Sequence, residues 1–440
     1  MTRRHSHAGQ EQVEQSLVTA DRLDNEAWNR QDWDLFSEIH GGCAPWSIRT
    51  SREPGYAQRT DDHDQRYRSE PMTTVTAAVV RETKGRFNIE DLELDELRPN
   101  EARVRVVAVG VCHTDVAMRD GVFPIPMPVV LGHEGAGVVE AVGSNVTRVS
   151  VGDHVVLSVN YCGHCRQCLT GHMAYCEDGF AEVFGGRRTL DGTTSLKSSS
   201  GEVVSSHFFG QSTFATYANV VESSLIPVDR DLPLEQIAFF GCGMQTGAGA
   251  ILNELRPPAG SSVAIAGTGA VGHAAVMAAY ASGCTTIIAI DRHDNRVGLA
   301  QEMGATHGIH GQSEDATGEL QRITGGRGVD YILDTTGSAD SLAAMAGALA
   351  IRGTLAHVAA VAPGATASFE VGGSILKGWT FKTIVQGSSV PQVFIPRLIE
   401  LWKQGRFPVD KLVKTYDFAD INTAFADSES GAVVKPLLVF

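Results

Sequence analysis

The stretch SSVAIAGTGAVGHAAVMAAYASGCTTIIAID, residues 261–291, carries the reading on which the fold turns. SSVAIAG is an apolar run of strand length. It leads into Gly267, Gly269 and Gly272, spaced G-x-G-x-x-G, with Val271 completing the loop. A small-residue helix, VGHAAVMAAYASG, follows, and TTIIAID is a second strand ending on Asp291. Glycines at this spacing permit a tight turn and let a pyrophosphate approach the helix N-terminus, where free N–H groups and the helix dipole favour an anion. A carboxylate at Asp291 accepts hydrogen bonds from an adenosine ribose and repels a 2′-phosphate, so NAD is expected over NADP. Arg292, next in the chain, would soften that preference. A glycine turn alone need hold nothing; strand, helix and acid in sequence point to a dinucleotide.

Downstream, VDYILDTTG and GTLAHVAAV read as further strands with helices between. This alternation predicts a doubly wound parallel sheet over residues 245–385. Upstream the rhythm differs. TAAVV, ARVRVVAVGV, GAGVVEAVG and DHVVLSV are short β runs punctuated by Gly and Pro, which predicts a β-rich, barrel-like domain from residue 72 to 244. The tail from PRLIELWKQGRF returns to mixed α/β and is expected to rejoin that domain over 386–440, making it discontinuous. Residues 177–210, rich in Gly, Ser and Arg, read as a long surface excursion.

Within the β-rich part, YCGHCRQCLTGHMAYC places Cys162, Cys165, Cys168 and Cys176 at C-x2-C-x2-C-x7-C. Four thiolates this close can wrap one zinc ion tetrahedrally at about 2.3 Å and close a loop that has little apolar core. Four thiolates also fill the coordination sphere, so the role is structural. Cys112 in GVCHTD, His133 in LGHEGAG and Cys242 in FGCGMQTG form a scattered second set. Two thiolates and an imidazole would leave one position of a zinc ion open. Singly, each of these residues reads as core packing, as Cys284 does; the joint set reads as a metal centre.

The chain has 440 residues, more than one core usually serves, and 43% of them are hydrophobic. With 36 basic against 51 acidic residues the net charge is −15, which argues against nucleic acid or an anionic membrane as a partner. No apolar run reaches the roughly 18–20 residues of a membrane span. The polar start MTRRHSHAGQEQVEQ has no apolar leader, so a reducing, cytoplasmic setting is expected, where grouped cysteines bind metal rather than pair. Residues 1–71 stand apart. Glu11–His40 has helical spacing, and LDNEAWNRQDWDLFSEIH resembles the opening helices of the nuclear transport factor 2 and polyketide cyclase fold. Residues 41–71 read as linker or disorder. The main folded part of the chain is expected to begin near Met72, with the preceding segment a helical remnant.

From CHTD at 112–115, GHEGAG at 132–137, the four-cysteine lobe, GCGMQTGAG at 241–249 and GTGAVG at 267–272, residues 72–440 resemble the medium-chain zinc-dependent alcohol dehydrogenases. FFGQSTFATYA with GCGMQTGAG looks most like the bacterial aryl-alcohol (benzyl-alcohol) members. The resemblance implies an α/β protein with a Rossmann domain and a discontinuous GroES-like catalytic domain. It implies two zinc ions per subunit and NAD, and interconversion of a primary aromatic or allylic alcohol with its aldehyde. Cys112, His133 and Cys242 would hold the catalytic zinc, with Glu134 behind it and Asp115 orienting His133. Thr114 would take the alcohol proton. Many members carry a histidine three residues after this hydroxyl; here the residue is Ala117, so the proton must leave through water or His113. His113 and Lys435 are placed by the resemblance at the phosphates, Thr246 at the nicotinamide, and Phe123 and Val159 on the walls of an apolar pocket. A homodimer is implied by the long segment after Cys176. Two rival readings remain. A thiol-dependent formaldehyde dehydrogenase shares every zinc motif but needs a cationic patch, for which Arg119, Arg187 and Arg188 are candidates. A non-catalytic zinc- and nucleotide-binding regulator would not need Thr114.

Overall fold

The computed structural model of the protein describes residues 73–311 and 315–440. The helical reading of Glu11–His40 and the linker reading of 41–71 lie outside the described residues.

Six strands form one wholly parallel sheet in the order His307–His310, Thr286–Asp291, Ser262–Ala266, Val329–Asp334, Leu349–His357, Thr380–Thr383. The first strand in the chain lies third, so the strand order reverses beside it. Ligands of open parallel sheets bind at such a switch point, outside the C-terminal ends of the strands. Ser262–Ala266 is buried throughout, as a strand covered on both faces must be. The helix Ala270–Ala281 buries Gly272 through Ala279 against it, and its alanines allow close approach.

The remaining described strands form two antiparallel-rich sheets rather than one barrel wall. Thr73–Val80 and Phe87–Leu94 belong to a five-stranded sheet. Glu101–Gly110, Gly135–Val142 and His154–Leu157 belong to a seven-stranded one. The C-terminal strand Lys435–Val439 adds to this second sheet antiparallel to Glu101–Gly110, with Leu437 opposite Gly110. That pairing returns the chain end to the β-rich part after the nucleotide sheet has been completed.

The segment 177–210 runs largely over the surface, as its composition suggests, but it is anchored at several buried points. Leu196–Lys197 and Val203–Val204 extend the five-stranded sheet. Arg188 is 4% exposed and its guanidinium meets both oxygens of Glu101, at 2.7 and 3.0 Å. His207 reaches the same carboxylate at 2.9 Å. Here buried ions satisfy one another and pin the segment to the sheet. No described helix is long and apolar enough to cross a membrane.

Candidate active site

Cys112 caps the helix His113–Arg119, and its backbone N–H donates to Asp115 Oδ2 at 3.1 Å. Asp115 is fully buried. Its Oδ1 also receives the Gly132 N–H at 3.1 Å and stands 3.0 Å from Nδ1 of His133. One carboxylate thus ties the helix start to the next loop and fixes the imidazole. With Nδ1 engaged, Nε2 of His133 is left buried without a hydrogen-bond partner. The ligand atoms of Cys112, His133, Glu134 and Cys242 all lie within 4.8 Å of one another. An orphaned ring nitrogen facing two sulfurs and a carboxylate fits a soft divalent cation and fits little else.

The electrostatics are those of a site built around positive charge. A hydrogen bond from Cys242 lowers the Cys112 thiol well below its ordinary value, against burial and with help from His133 and Lys435. The same bond and burial push Cys242 well above its own. A cation held between the two sulfurs would stabilise both as thiolates. Burial opposes the charged form of His133, but Asp115 and Cys112 outweigh it and raise its pKa. Burial also raises the Glu134 carboxyl against the pull of Lys435. Glu134 Oε1 accepts the Gly243 N–H at 3.1 Å, at the start of the helix Gly243–Gly249. Lys435 is buried, with Nζ 2.7 Å from Glu134 Oε2 and 3.0 Å from the Val111 carbonyl.

Thr114 is half-buried, with its hydroxyl 3.8 Å from Cys112 Sγ; His113 beside it is exposed. Ala117 is buried on the core side of the same helix. Phe209 stacks on His133 at 4.3 Å between ring centres, and Phe208 meets that ring edge-on at 5.3 Å. His207, Phe209 and Ser212 all take left-handed backbone, at φ 62°, 56° and 56°. Such strain survives only where surroundings hold it, here around the imidazole. The motif FFGQSTF was visible in the sequence; that its rings cover His133 was not. Phe123 stacks on Phe184 at 5.4 Å, and Phe184 continues to Phe209 at 5.8 Å. Val159 is buried in the same cluster.

The second metal set is a compact lobe. Cys165 starts the short helix Arg166–Leu169. Sulfurs of the set accept backbone N–H groups from Cys162, Cys165, Cys168 and Glu177 at 3.4–3.5 Å. The N–H groups of Glu177 and Cys168 bring the Cys165 thiol down to about 6, whereas burial pushes Cys162 up to about 11. The four sulfurs also lie within 4.8 Å of one another, and every described cysteine is a free thiol.

At the glycine loop, Gly267 has φ +85° and a Cβ on Gly272 would meet the Gly267 carbonyl oxygen at 1.9 Å, so both positions need glycine. Gly269 faces open space, and the helix it precedes has no side-chain N-cap. Bare N–H groups over an empty cradle fit a pyrophosphate. Val271 packs its carbonyl against Gly247, one residue from Thr246, which is itself buried. Asp291 is 8% exposed. Its carboxylate accepts Thr268 N at 2.7 Å, Thr268 Oγ1 at 3.0 Å and His293 N at 3.0 Å. Burial would raise its pKa, but these bonds hold it below the usual range. Arg292 is exposed.

Of the three arginines offered for a cationic pocket mouth, Arg188 is consumed by Glu101 and Asp95, and Arg119 by Asp120 and Glu429. Arg187, the third, is exposed.

Residues 98–230 match the alcohol dehydrogenase GroES-like domain family, and residues 270–403 the zinc-binding dehydrogenase family. The geraniol dehydrogenase of Castellaniella defragrans is 40% identical over 373 residues, covering 84% of this chain and 99% of that protein. Among solved structures, an alcohol dehydrogenase zinc-binding domain protein from Burkholderia ambifaria is 50% identical with a TM-score of 0.82, over 84% of this chain and 100% of that one. The benzyl alcohol dehydrogenase of Acinetobacter calcoaceticus is 43% identical with a TM-score of 0.80, over the same shares. The fold and site define a zinc-binding, nicotinamide-dependent oxidoreductase. The chain belongs to the medium-chain zinc-dependent alcohol dehydrogenases.

Proposed function

We propose that this enzyme interconverts a primary aromatic or allylic alcohol and its aldehyde with NAD. The observation that carries the reading is the buried Nε2 of His133, without a partner and ringed by Cys112, Cys242 and Glu134. When bound, zinc supplies the positive charge that makes an alcohol proton labile, and NAD supplies the hydride acceptor. Asp115 holds the imidazole in the tautomer that leaves Nε2 as donor to the cation. Lys435 neutralises Glu134 so that the carboxylate can lie beside the sulfurs. The Thr114 hydroxyl takes the alcohol proton, and exposed His113 gives it a way to solvent. Gly267, Gly269, Val271 and Gly272 receive the pyrophosphate, Asp291 the ribose, and Thr246 packs at the nicotinamide. Cys162, Cys165, Cys168 and Cys176 hold a second zinc that closes their lobe.

Phe123, Val159 and the adjoining Phe184–Phe209 rings support a flat apolar pocket, and the names of two relatives, geraniol and benzyl alcohol dehydrogenase, support the same substrate class. We assign residues 72–244 and 386–440 to the catalytic domain and 245–385 to the nucleotide domain. A cytoplasmic homodimer fits the outer strand Thr380–Thr383, which has Phe381 exposed and lies near Val371, Ile375 and Leu376, themselves 77%, 80% and 84% exposed. Sedimentation of a monomer would contradict the dimer.

The deciding experiment compares benzyl, cinnamyl, terpenoid and short aliphatic alcohols with NAD and NADP, in wild type and Phe184→Ala. Aromatic and allylic alcohols should lead with NAD, and the variant should lose about tenfold in kcat/KM for them relative to short aliphatic ones. Equal rates across the panel would sink the substrate assignment.

A further inference from the structure

We propose that Gln386 is a positioning residue that holds and polarises the sulfur of Cys242, reaching it from the end of the nucleotide sheet. The inference rests on Cys242 serving as a metal ligand, as proposed above.

Beyond the outer strand Thr380–Thr383 the chain turns through Gln386, Gly387 and Ser388, with φ of 49°, 61° and 49°. Three successive left-handed residues, two of them carrying side chains, are costly. The surroundings hold them in place. Asn253 Nδ2 donates to the Gly387 carbonyl at 3.0 Å, and the Tyr175 hydroxyl stands 2.9 Å from Ser388 Oγ. A Cβ on Gly387 would come within 2.3 Å of the Gln245 carbonyl oxygen, so the strap lies directly on the helix that Cys242 caps.

This turn aims the Gln386 amide inward. Its Nε2 donates to Cys242 Sγ at 3.8 Å, while its Oε1 accepts from Gln245 Nε2 at 3.1 Å. Gln245 is fully buried and bonded in turn to Ser158 Oγ at 2.6 Å. Gln245 Nε2 also lies within reach of the Gly241 carbonyl, and in this arrangement the amide nitrogen of Gln386 faces the sulfur. An N–H donated to a thiolate is a charge-assisted bond that withdraws electron density from the ligand. A cation bound to that sulfur stays the stronger Lewis acid, and the sulfur is kept from rotating away. Because the strap follows directly on the outer strand of the sheet that carries the glycine loop, the hydrogen bond also ties the metal ligand to that sheet.

The test uses the full chain with zinc kept in the four-cysteine lobe and cobalt(II) exchanged into the second set. The thiolate-to-cobalt charge-transfer band is recorded in wild type, Gln386→Leu and Ser388→Ala, with Cys242→Ser as reference. The expected result is a shift to longer wavelength in Gln386→Leu and none in Ser388→Ala, which loosens the strap without touching sulfur. Gln386→Glu, the same size but lacking the donor, should shift the same way and serves if the leucine variant fails to fold. An unmoved band in the Gln386 variants would overturn the proposal, as would equal shifts in Ser388→Ala. A wild-type spectrum matching that of Cys242→Ser would instead remove the ligand assignment itself, and the inference with it.

Discussion

The ammonium of Lys435 lies 2.7 Å from the Glu134 carboxylate, with the two side chains 2% and 0% exposed and 301 residues apart in the chain. The pairing of Leu437 with Gly110 sets this contact, since it delivers the C-terminal strand beside the loop that carries His133 and Glu134. Gly110 leaves the room: a Cβ there would fall 2.2 Å from Glu134 Oε2. Removing one member of a buried pair strands the other charge.

Lys435→Met should therefore lower the free energy of unfolding by about 3–5 kcal/mol in a urea titration. Adding Glu134→Gln to that variant should restore part of the loss, because the stranded carboxylate is gone. A Lys435→Met midpoint equal to wild type would contradict the burial argument.

A second prediction concerns pH. Burial opposes ionisation of Glu101, but hydrogen bonds from His207 and Arg188 outweigh it and bring its pKa from 4.5 to about 2. A carboxyl depressed on folding stabilises the fold above its unfolded pKa and loses that contribution as pH falls through the folded value. The advantage of wild type over Glu101→Gln should be full above pH 5 and shrink between about pH 4.5 and 2. Urea midpoints measured across that window should converge; a constant gap would mean the carboxylate is not the anchor of segment 177–210.

Metal content gives a third. Wild type should hold two equivalents of zinc, one in the four-cysteine lobe and one among Cys112, His133, Glu134 and Cys242. Cys242→Ser should keep the lobe zinc and lose activity by at least about a thousandfold, since the charge that labilises the alcohol proton goes with the ion. Cys165→Ser should lose the lobe zinc and show its larger effect in thermal stability. Elemental analysis beside melting curves separates the two. Undiminished turnover in Cys242→Ser would defeat the proposed chemistry.

The fourth concerns cofactor choice. Asp291 already accepts three hydrogen bonds from Thr268 and His293, so it is held rigidly at the strand end. Asp291→Ala should reduce kcat/KM for NAD by about ten- to a hundredfold, the worth of a hydrogen bond to a charged group, and raise the NADP-to-NAD ratio. An unchanged ratio would mean that Asp291 only braces the glycine loop.

Much was legible because it is local. Residues 261–291 place strand, turn, helix and acid within one βαβ length, and the observed strands Ser262–Ala266 and Thr286–Asp291 fall inside it. The four lobe cysteines sit within a few turns of chain, so spacing alone brings their sulfurs together. The anchoring of segment 177–210 is not legible in the sequence for the opposite reason. Its partners, Glu101 and Asp95, lie some ninety residues upstream, and polar composition cannot distinguish a solvated arginine from one buried against a carboxylate.

The amino-acid sequence by itself determined the parallel sheet, the glycine cradle, the two sulfur-rich sets and the family, because each is written in short-range spacing and residue type. Only the tertiary structure decided that Lys435 faces Glu134, that Phe209 lies on His133, and that Gln386 reaches Cys242 across 144 residues. Those contacts depend on strand register and on the direction in which a turn aims its side chain, and neither is carried by the local order of residues.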